Sequence, residues 1–352
     1  MSVEPFSPIG ALGRLNPFHW SAGLVLRGLA ELEVADHLAA GPRTAAELAV
    51  LVGAHAPSLE RFLRVCVLHG AVEPAPDGAF ALTADGHLLR SDVPSLRGFV
   101  IAVNAPGMTR PWERVADVVR TGRPATEDVW GVDHWEYYAT HPDEGRYYAQ
   151  TCASLAEEAG RALAASVGFD GVRTLVDVGG GPGAALAAVL HAHPHVTGVV
   201  QELPWAVPHV HELLAAERLA HRVEVVTGDF RAGVPAGGDA YLLKNVLCDL
   251  DDDAAAALLR RCRDAAGPDV PVWVLDWEYG PQTSHVHAND VEFMVLSGGR
   301  ARSRAEYADL LRGAGFAAVR QLRLAGWERA PIALVEARRD PNSVRPDRTE
   351  LP

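Results

Sequence analysis

Hydrophobic residues in the first ninety positions recur at the spacing of amphipathic helices. The stretch Gly23–Ala39 follows the i, i+3, i+4, i+7 pattern that a helix with one buried face requires. Its apolar positions are Leu24, Leu29, Leu32, Val34 and Leu38. Thr44 and Glu47 form a capping box, which predicts the start of a second helix. Ser58 is placed to cap a third helix that ends near Gly70.

A predicted hairpin follows these helices. Ala71–Glu73 and Ala79–Thr83 are short β-prone runs, and the turn Pro74–Gly78 between them contains proline and glycine. Three helices and a hairpin are typical of a winged-helix module, which suggests DNA binding as one hypothesis. Residues 25–90 carry eight acidic and five basic residues, a net charge of −3 that is poorly suited to neutralising phosphates. We therefore expect the hairpin, which is the wing of this module, to contact protein and not DNA.

The pattern changes from Arg173 onward to short apolar runs separated by helical stretches such as Asp252–Ala266. The runs are TLVDVGGG, GVVQEL, VEVVTGD, DAYLLKNVL and PVWVLDW. Because continuous apolar strands need cover on both faces, this alternation predicts an α/β domain with a parallel sheet between helices. A helix at Ser303–Ala314 and two β-like runs, Ala317–Leu324 and Ile332–Glu336, complete the predicted domain.

Composition and charge narrow the class of protein. The 352 residues are 48% hydrophobic and carry a net charge of −13, so a large core can form and nucleic acid or an anionic membrane is repelled. No apolar run approaches the roughly 20 residues that a spanning helix needs, and the first ten residues do not resemble a secretory leader. We expect a cytoplasmic protein. The four cysteines form no C-x-x-C pair, so neither a zinc site nor a disulfide framework is expected.

A glycine-rich turn stands at the end of the first predicted parallel strand. Asp177 begins the run DVGGGPG, in which Gly179, Gly181 and Gly183 allow the backbone to approach a nucleotide closely. The same glycines, together with Ala184, also fit the dinucleotide pattern G-x-G-x-x-A. The turn alone therefore leaves an NAD-dependent dehydrogenase open.

The next three strands also end in residues suited to binding a nucleoside. Glu202 closes the second strand, where a carboxylate can accept hydrogen bonds from both ribose hydroxyls. Gly228, Asp229 and Phe230 close the third strand and offer an acceptor for an adenine amino group beside an apolar surface for the ring. Lys244 ends the fourth strand. It is the one lysine among 32 lysines and arginines, and the compact ammonium is not interchangeable with a guanidinium.

Five sequence blocks together resemble one enzyme family. They are DVGGGPG, QELP, GDF, LLKNVLCDLDDDAAAALLRRCRDA and FMVLSGGRARSRAEYADLLRGAGF. From about residue 20 to residue 337 the chain resembles the S-adenosylmethionine-dependent O-methyltransferases of plant and actinomycete small-molecule pathways. The resemblance implies an α/β class I methyltransferase fold, in which a mostly α-helical winged-helix dimerisation domain precedes a Rossmann-like domain. It also implies S-adenosylmethionine as cofactor and a homodimer.

The same resemblance implies a role for each strand end. The glycine loop Asp177–Gly183 holds the methionine moiety, Glu202 holds the ribose, Asp229 and Phe230 hold adenine, and Lys244 reaches the cofactor. Four segments are expected: a winged-helix dimerisation domain at 1–98, a helical substrate-lining and linker segment at 99–165, a cofactor-binding catalytic domain at 166–340 and a disordered tail at 341–352.

The resemblance fails at the catalytic base. Plant members have His-Asp-Trp after the fourth strand and a glutamate before Arg-Thr late in the chain, whereas this chain has Cys248-Asp249-Leu250 and Ala301-Arg302-Ser303. Cys248 could act as a thiolate, but an ordinary pKa of about 8.5 and apolar neighbours favour a packed thiol. Orientation alone gives effective molarities of roughly 10⁵–10⁸ M, and an acidic phenol needs little help from a base. Actinomycete relatives that act on aromatic polyketides also lack the histidine.

Other residues are candidates for the missing base. Asp249 and Asp276 follow strands at the edge of the cleft, and His285 and His287 lie after the fifth strand. His287 is preferred because neutral imidazole titrates near the working pH, although a polar loop explains both histidines equally well. We expect no metal site, because no carboxylate or further ligand stands at metal-binding spacing beside this pair or beside His191, His193 and His195, and that run falls at a predicted helix end.

Aromatic and flexible apolar residues are candidates for the wall of an acceptor pocket for a flat substrate. The candidates are Trp135, Tyr138, Tyr148, Cys152, Asn289, Phe293 and Met294. The leading hypothesis is methyl transfer to a hydroxyl of a small, polyketide-like aromatic metabolite. The alternatives are a relative that binds the cofactor and catalyses hydroxylation, cyclisation or isomerisation, a DNA-binding regulator and an NAD-dependent dehydrogenase.

Overall fold

A computed structural model describes residues 21–93, 95–280, 284–327 and 330–339 of the chain. The chain divides into two compact units, Met1–Pro106 and Gly107–Pro352. No helix within the described ranges has the length and apolar character needed to cross a membrane. The predicted tail at 341–352 lies outside the described residues, and the predicted segment boundaries at 98, 165 and 340 stay predictions.

The first unit consists of short helices and a small antiparallel sheet. The helices are α1 (Ser21–Glu31), α2 (Val34–Leu38), α3 (Ala45–Leu51), α4 (Ala56–Leu68) and α5 (Arg97–Val103). The strands are β1 (Arg43–Thr44), β2 (Val72–Pro74) and β3 (Ala79–Leu82), in the order β1-β3-β2. The predicted helices and hairpin are therefore present, and their apolar stripes meet in one core that includes Leu29, Leu48 and Leu63.

Two helix predictions in this unit are wrong. The predicted single helix Gly23–Ala39 is two helices, because Glu33 has a φ of 55° that breaks the hydrogen-bonded turn between α1 and α2. Ser58 does not cap α4, which begins at Ala56 with a proline in its first turn and no side-chain cap. The capping box of Thr44 at the start of α3 is confirmed.

A helical segment begins the second unit. Its helices are α6 (Pro106–Thr109), α7 (Val115–Thr121), α8 (Thr126–Trp130), α9 (His134–Thr140) and α10 (Pro142–Ser166). Asp133 caps α9, since its side chain accepts hydrogen bonds from the backbone amides of Trp135 and Glu136. The 25-residue helix α10 then leads into the sheet.

Among the described residues, the sheet of the second unit has seven strands in the order β6-β5-β4-β7-β8-β10-β9. The strands are β4 (Thr174–Val178), β5 (Thr197–Glu202), β6 (Val223–Thr227), β7 (Ala240–Lys244), β8 (Val272–Trp277), β9 (Ala318–Leu322) and β10 (Ile332–Arg338). The first five are parallel, and β10 runs antiparallel to both β8 and β9. The predicted parallel sheet is confirmed, with an antiparallel pair at one edge.

Helices cover both faces of this sheet. They are α11 (Ala184–Ala192), α12 (Val207–Ala216), α13 (Asp252–Ala265) and α15 (Arg304–Gly313), whereas α14 (Ser284–Leu296) packs on a smaller cluster with Met108 and Val118. Neighbouring residues of β4 point to opposite faces, so Leu175 enters the core with α10, α11 and α12, while Val176 enters the core with α13 and α15. This two-sided burial explains the continuous apolar runs in the sequence.

Helices α10 and α11 approach closely at Gly160. A Cβ atom at this position would lie 2.5 Å from the carbonyl oxygen of Ala185 and 2.7 Å from its Cα atom. Both are backbone atoms, so a side chain at Gly160 can be accommodated only by moving one helix. This contact sets the position of the helix that follows the glycine-rich loop.

Gly160→Ala is therefore expected to lower the free energy of unfolding by about 1–3 kcal/mol through overpacking, even though alanine favours helix formation. Thermal or urea unfolding measures the change. Gly168→Ala is the matched control, because Gly168 has no atom within 4 Å of the added Cβ position. Equal stability of the two variants would show that the α10–α11 contact does not constrain the fold.

Candidate functional site

The loop between β4 and α11 can be built only with glycine at specific positions. A Cβ atom on Gly180 would lie 2.6 Å from the carboxylate of Asp177. Gly179 has a φ of 65°, and a Cβ atom there would lie 3.2 Å from Val246 and 3.3 Å from Phe230. The loop backbone therefore lies against the end of β4 on one side and beneath the Phe230 ring on the other.

Asp177 is a fully buried carboxylate without a hydrogen-bond partner. Its side chain is 0% exposed, and neither oxygen has a partner among the described residues. Burial raises its pKa to about 7, and the positive charge of Lys244 partly offsets this rise. Because unsatisfied buried acceptors are rare, the missing donor points to a ligand that carries a hydrogen-bond donor or a positive charge.

Glu202 faces the same loop from the end of β5. One carboxylate oxygen accepts a hydrogen bond from the Gly181 amide at 3.2 Å, and the other accepts from the Leu203 amide at 2.5 Å. Burial raises the pKa of Glu202 to about 7, although these two hydrogen bonds oppose the rise. The backbone therefore holds the Glu202 carboxylate in one orientation beside the glycine loop.

Asp229 lies past the end of β6 and is held by Arg231. One oxygen accepts from the Arg231 amide at 2.7 Å, and the other accepts from the Arg231 Nε at 2.7 Å. The guanidinium also reaches Asp133, with an Nη2 to Oδ2 distance of 3.2 Å. Sequence reasoning missed Arg231, and its position directly after the Gly-Asp-Phe run was the available signal.

One cavity collects many of these groups. Its lining residues are Trp135, Gly179, Glu202, Leu203, Trp205, Gly228, Asp229, Phe230, Arg231, Asn245, Val246 and Asp249. Seven of the predicted site residues are among them. Trp205, Asn245 and Val246 were missed. Asn245 has a φ of 52° and a buried side-chain oxygen without a described partner, which sequence pattern could not reveal.

Lys244 is the last residue of β7, and its side chain lies near acidic and thiol groups. Its charge lowers the pKa of Asp177, Cys152, Cys248 and Asp249 against the stronger effect of burial. It makes no ion pair within 4.0 Å in the described part of the chain. Lys244 therefore lies near these groups at the end of β7, and its contact with the cofactor stays a prediction.

Cys248 is a buried thiol in contact with Asp276. Burial and the nearby carboxylates raise the thiol pKa well above its ordinary value, and the side chain is 1% exposed. One Asp276 oxygen accepts from the amides of Leu247 and Cys248 at 3.0 and 3.1 Å, and the other accepts from the Trp277 amide at 2.8 Å. Asp276 thus fixes this turn, and because its carboxylate oxygens already accept three amide hydrogen bonds, Asp276 is poorly placed to accept a proton from an acceptor molecule.

Arg302 holds the same turn from the other side. Its buried guanidinium donates to the carbonyls of Leu247 and Leu250 at 2.6 and 2.8 Å and pairs with Asp252 at 2.8 Å. The neighbouring Ala301 donates its amide to Asp290 at 2.7 Å. The Arg302 contacts therefore constrain the backbone around Cys248 and Asp249 even though the glutamate of plant members is absent.

An aromatic cluster formed by Trp135, Tyr138, Tyr148 and Trp205 lies beside the cavity. The Tyr138 and Tyr148 rings stack at 4.9 Å, and Trp135 and Trp205 extend the cluster at 5.9 Å from Tyr148 and 5.1 Å from Tyr138. His134 packs among these rings, where burial lowers its pKa to about 4 and keeps it neutral. The structure therefore brings the predicted aromatic residues together.

The other predicted wall residues take different positions. Cys152 lies 3.8 Å from the Cβ position of Gly181, which places it against the glycine loop. Met294 packs with Tyr148 on an apolar cluster that includes Val295. Asn289 is half-buried on α14, and the backbone carbonyl of Phe293 accepts hydrogen bonds from the turn that ends this helix.

Asp249 and Glu292 are two neighbouring carboxylates near the aromatic cluster. Asp249 lines the cavity, and burial together with the charges of Asp276 and Glu292 raises its pKa well above the ordinary value. Burial raises the pKa of Glu292 to about 7. Sequence reasoning missed Glu292, and a lone acidic residue between Val291 and Phe293 on a predicted wall segment was the signal.

His287, the preferred base in the sequence, is exposed. Its ring stacks on Tyr279 at 4.7 Å, and its Nε2 lies 3.1 Å from the Gly280 carbonyl oxygen. These described contacts do not include the cavity residues. The side chain of His285 lies outside the described part of the chain.

Comparison with known proteins now decides the family. An O-methyltransferase domain model matches residues 112–317, and an O-methyltransferase dimerisation domain model matches residues 18–91. The chain belongs to the O-methyltransferase family. It is 36% identical over 318 residues to the mitomycin biosynthesis 6-O-methyltransferase of Streptomyces lavendulae, covering 88% of each protein.

Solved structures of methyltransferases match the whole fold. The mitomycin 7-O-methyltransferase structure superposes with a TM-score of 0.86 at 34% identity and covers 94% of this chain and 97% of that one. An O-methyltransferase from neocarzinostatin biosynthesis, in complex with S-adenosylmethionine and 2-hydroxy-5-methyl naphthoic acid, gives a TM-score of 0.78 at 33% identity, covering 91% and 96%. The methyltransferase therefore has the class I fold and uses S-adenosylmethionine.

The residues of this methyltransferase fit that cofactor. The orphaned carboxylate of Asp177 suits a cationic group, and the side-chain-free backbone of the glycine loop leaves room beside it. Glu202 and Phe230 line the same cavity and offer an acceptor for hydroxyl groups and an apolar surface for a ring. Within the described ranges, no group of three or more His, Cys, Asp or Glu side chains is arranged to hold a metal ion.

Asp177→Asn is expected to stabilise the folded methyltransferase while weakening cofactor binding. Burial raises the folded-state pKa of Asp177 from 3.8 to about 7, so the carboxylate lowers stability progressively between pH 4 and pH 7 and fully above pH 7. The variant should gain up to about 4 kcal/mol over the parent at pH 8 and much less at pH 4.

Urea unfolding at both pH values measures this gain, and calorimetry with S-adenosylhomocysteine measures the binding loss. Asp170→Asn, at an exposed position, is the control. A variant that is less stable than the parent at pH 8 would contradict the assignment of Asp177 as an unpaired buried carboxylate.

Proposed function

We propose that this methyltransferase transfers a methyl group to a hydroxyl of a small aromatic, polyketide-like metabolite. The observation that carries this proposal is the aromatic cluster Trp135, Tyr138, Tyr148 and Trp205 beside the cavity that contains Glu202. Stacked and edge-to-face rings favour a flat aromatic ligand. The naphthoic acid bound in the neocarzinostatin relative is a ligand of this chemical class.

Each strand end has a part in holding the cofactor. S-adenosylmethionine supplies, when bound, an electrophilic methyl group on a positively charged sulfur. The glycine loop with Gly179, Gly181 and Gly183 holds the methionine end, where Asp177 accepts from its ammonium group. Glu202 accepts from the ribose hydroxyls, and Lys244 reaches the cofactor and partly offsets the negative charge of this acidic edge. Gly228, Asp229 and Phe230 hold the adenine.

The acceptor lies between the glycine loop and the aromatic cluster in this proposal. Trp135, Tyr138 and Tyr148 orient its ring, and Cys152 lies between Tyr148 and the loop. Asn289 and Met294 of α14 complete the wall. A well-oriented acceptor supplies much of the rate, because orientation alone contributes effective molarities of roughly 10⁵–10⁸ M.

Asp249 is the proposed proton acceptor. It lines the cavity, whereas the Cys248 thiol is buried against Asp276 and holds its proton tightly. Burial raises the pKa of Asp249, the charges of Asp276 and Glu292 raise it further, and burial raises the pKa of Glu292 to about 7. His287 stays a prediction, since its described contacts are with Tyr279 and Gly280.

The proposed assembly is a homodimer formed through the first unit. The dimerisation model matches residues 18–91, and large apolar side chains of this unit are exposed. They are Leu24, Val50, Leu51, Leu68, Leu88, Leu96 and Phe99. In this proposal residues 1–98 form the dimerisation module, 99–165 line the acceptor site and 166–340 bind the cofactor.

Incubation with methyl-labelled S-adenosylmethionine and a panel of phenolic naphthoates and anthraquinones is expected to give a labelled product and stoichiometric S-adenosylhomocysteine. Mass spectrometry of acceptor and cofactor measures both. A product with an unchanged number of methyl groups and undiminished cofactor would instead support a hydroxylase, cyclase or isomerase. Cofactor binding without any turnover across the panel would count against methyl transfer.

Substitution of each candidate base in turn should show which residue accepts the proton. Asp249→Asn is expected to lower kcat by about 10²–10⁴-fold, the range for a lost general base, while Cys248→Ala and His287→Ala retain activity within a few-fold. Because Glu292 raises the pKa of Asp249, Glu292→Gln should shift the acidic limb of the kcat/KM profile to lower pH. Initial rates from pH 5 to pH 9 measure this shift. A larger loss in Cys248→Ala than in Asp249→Asn would identify the thiol as the base.

A further inference from the structure

Arg231 connects two carboxylates that belong to different parts of the second unit. Its Nε donates to Asp229 at 2.7 Å, and its Nη2 donates to Asp133 at 3.2 Å. The Arg231 backbone amide also donates to Asp229 at 2.7 Å. One guanidinium therefore joins the loop after β6 to the residue that caps α9.

Asp133, one of the two carboxylates bonded to Arg231, caps the helix that carries Trp135 and Tyr138. One Asp133 oxygen accepts from the amides of Trp135 and Glu136, both at 2.8 Å, and the other oxygen accepts from Arg231. A side-chain cap of this kind stabilises the first turn of a helix. Helix α9 carries Trp135 into the cavity and Tyr138 into the stack with Tyr148.

The Asp229 end lies at the adenine side of the proposed cofactor site. A carboxylate can accept about four hydrogen bonds, and Arg231 uses two of them. Asp229 can therefore accept from an adenine amino group while it stays bonded to Arg231. Trp135, Asp229 and Arg231 line one cavity, so the connection runs along its wall.

We propose that Arg231 is a positioning residue that couples occupation of the adenine end to the order of helix α9 and its acceptor-binding aromatic residues. This inference rests on the proposed function. A ligand that fixes Asp229 also fixes Arg231, and the second branch of the guanidinium then holds Asp133 and the cap of α9. Coupling of this kind is reciprocal, so an ordered aromatic wall also strengthens cofactor binding.

The ion pairs alone do not make the fold stable. The Arg231 side chain is 51% exposed, and exposed pairs contribute little to stability. Loss of the bridge is therefore expected to leave the thermal midpoint almost unchanged. Its effect is expected in the response of α9 to the cofactor.

Amide hydrogen exchange of residues 134–140, followed by mass spectrometry with and without S-adenosylhomocysteine, tests the coupling. In the parent, the ligand is expected to slow exchange of this segment about tenfold, within the usual range of coupling between sites. Arg231→Gln should lose most of this response. Asp133→Asn should lose it too, although asparagine caps helices as well as aspartate does and keeps the helix intact.

Calorimetry in parallel reports whether S-adenosylhomocysteine binds each protein. Arg120→Gln is the matched control, because Arg120 is an exposed arginine that pairs with Asp117. The Arg231→Gln/Asp133→Asn double variant should behave like either single variant, since both remove one connection. Binding with an unchanged exchange response in Arg231→Gln would overturn the coupling alone. Absence of binding to the parent would overturn the proposed function as well.

Discussion

The burial of two carboxylates beside a glycine loop is the constraint on which the site depends. Asp177 is fully buried without a partner, and Glu202 is held against the same loop by backbone amides. Burial raises the pKa of both groups, so two charged carboxylates at this position are unfavourable near neutral pH. A cationic ligand with hydroxyl donors relieves this cost. The fold tolerates the cost because β4 and β5 are inner strands of the sheet, and the cores on the two faces of the sheet hold the strand ends in place.

The same rigidity extends to the turn after β7. Asp276 accepts from the amides of Leu247 and Cys248, and Arg302 holds the carbonyls of Leu247 and Leu250. The backbone that presents a histidine in plant relatives is therefore fully supported here without the histidine. The shape of the turn therefore does not depend on the histidine side chain. A sequence motif shows the turn and the side chain together, but the structure shows that they are independent.

Sequence pattern predicted the strand-end groups well because the carboxyl ends of parallel strands meet at one edge, whatever the details of packing. This rule alone was enough to predict that Glu202 and Asp229 lie at the same edge of the sheet. Arg231 and Glu292 could not be placed in the same way, since their roles depend on which side of a loop or helix faces the cavity. The break at Glu33 was equally hidden, because Leu29 and Val34 on its two sides are both buried and keep the apolar spacing.

A carboxylate base changes the electrostatics of the proposed reaction. A histidine base becomes a cation when it takes the acceptor proton, and that charge is repelled by the positive sulfur of the cofactor. A carboxylate base instead becomes neutral when it takes the proton, so no second positive charge is created beside the sulfur, and the acceptor oxygen becomes the negative partner of the sulfur with either base. Burial raises the pKa of Asp249, and the charges of Asp276 and Glu292 raise it further. The proposed carboxylate base therefore differs from a histidine in the charge that it carries after proton transfer, at the same turn of the backbone.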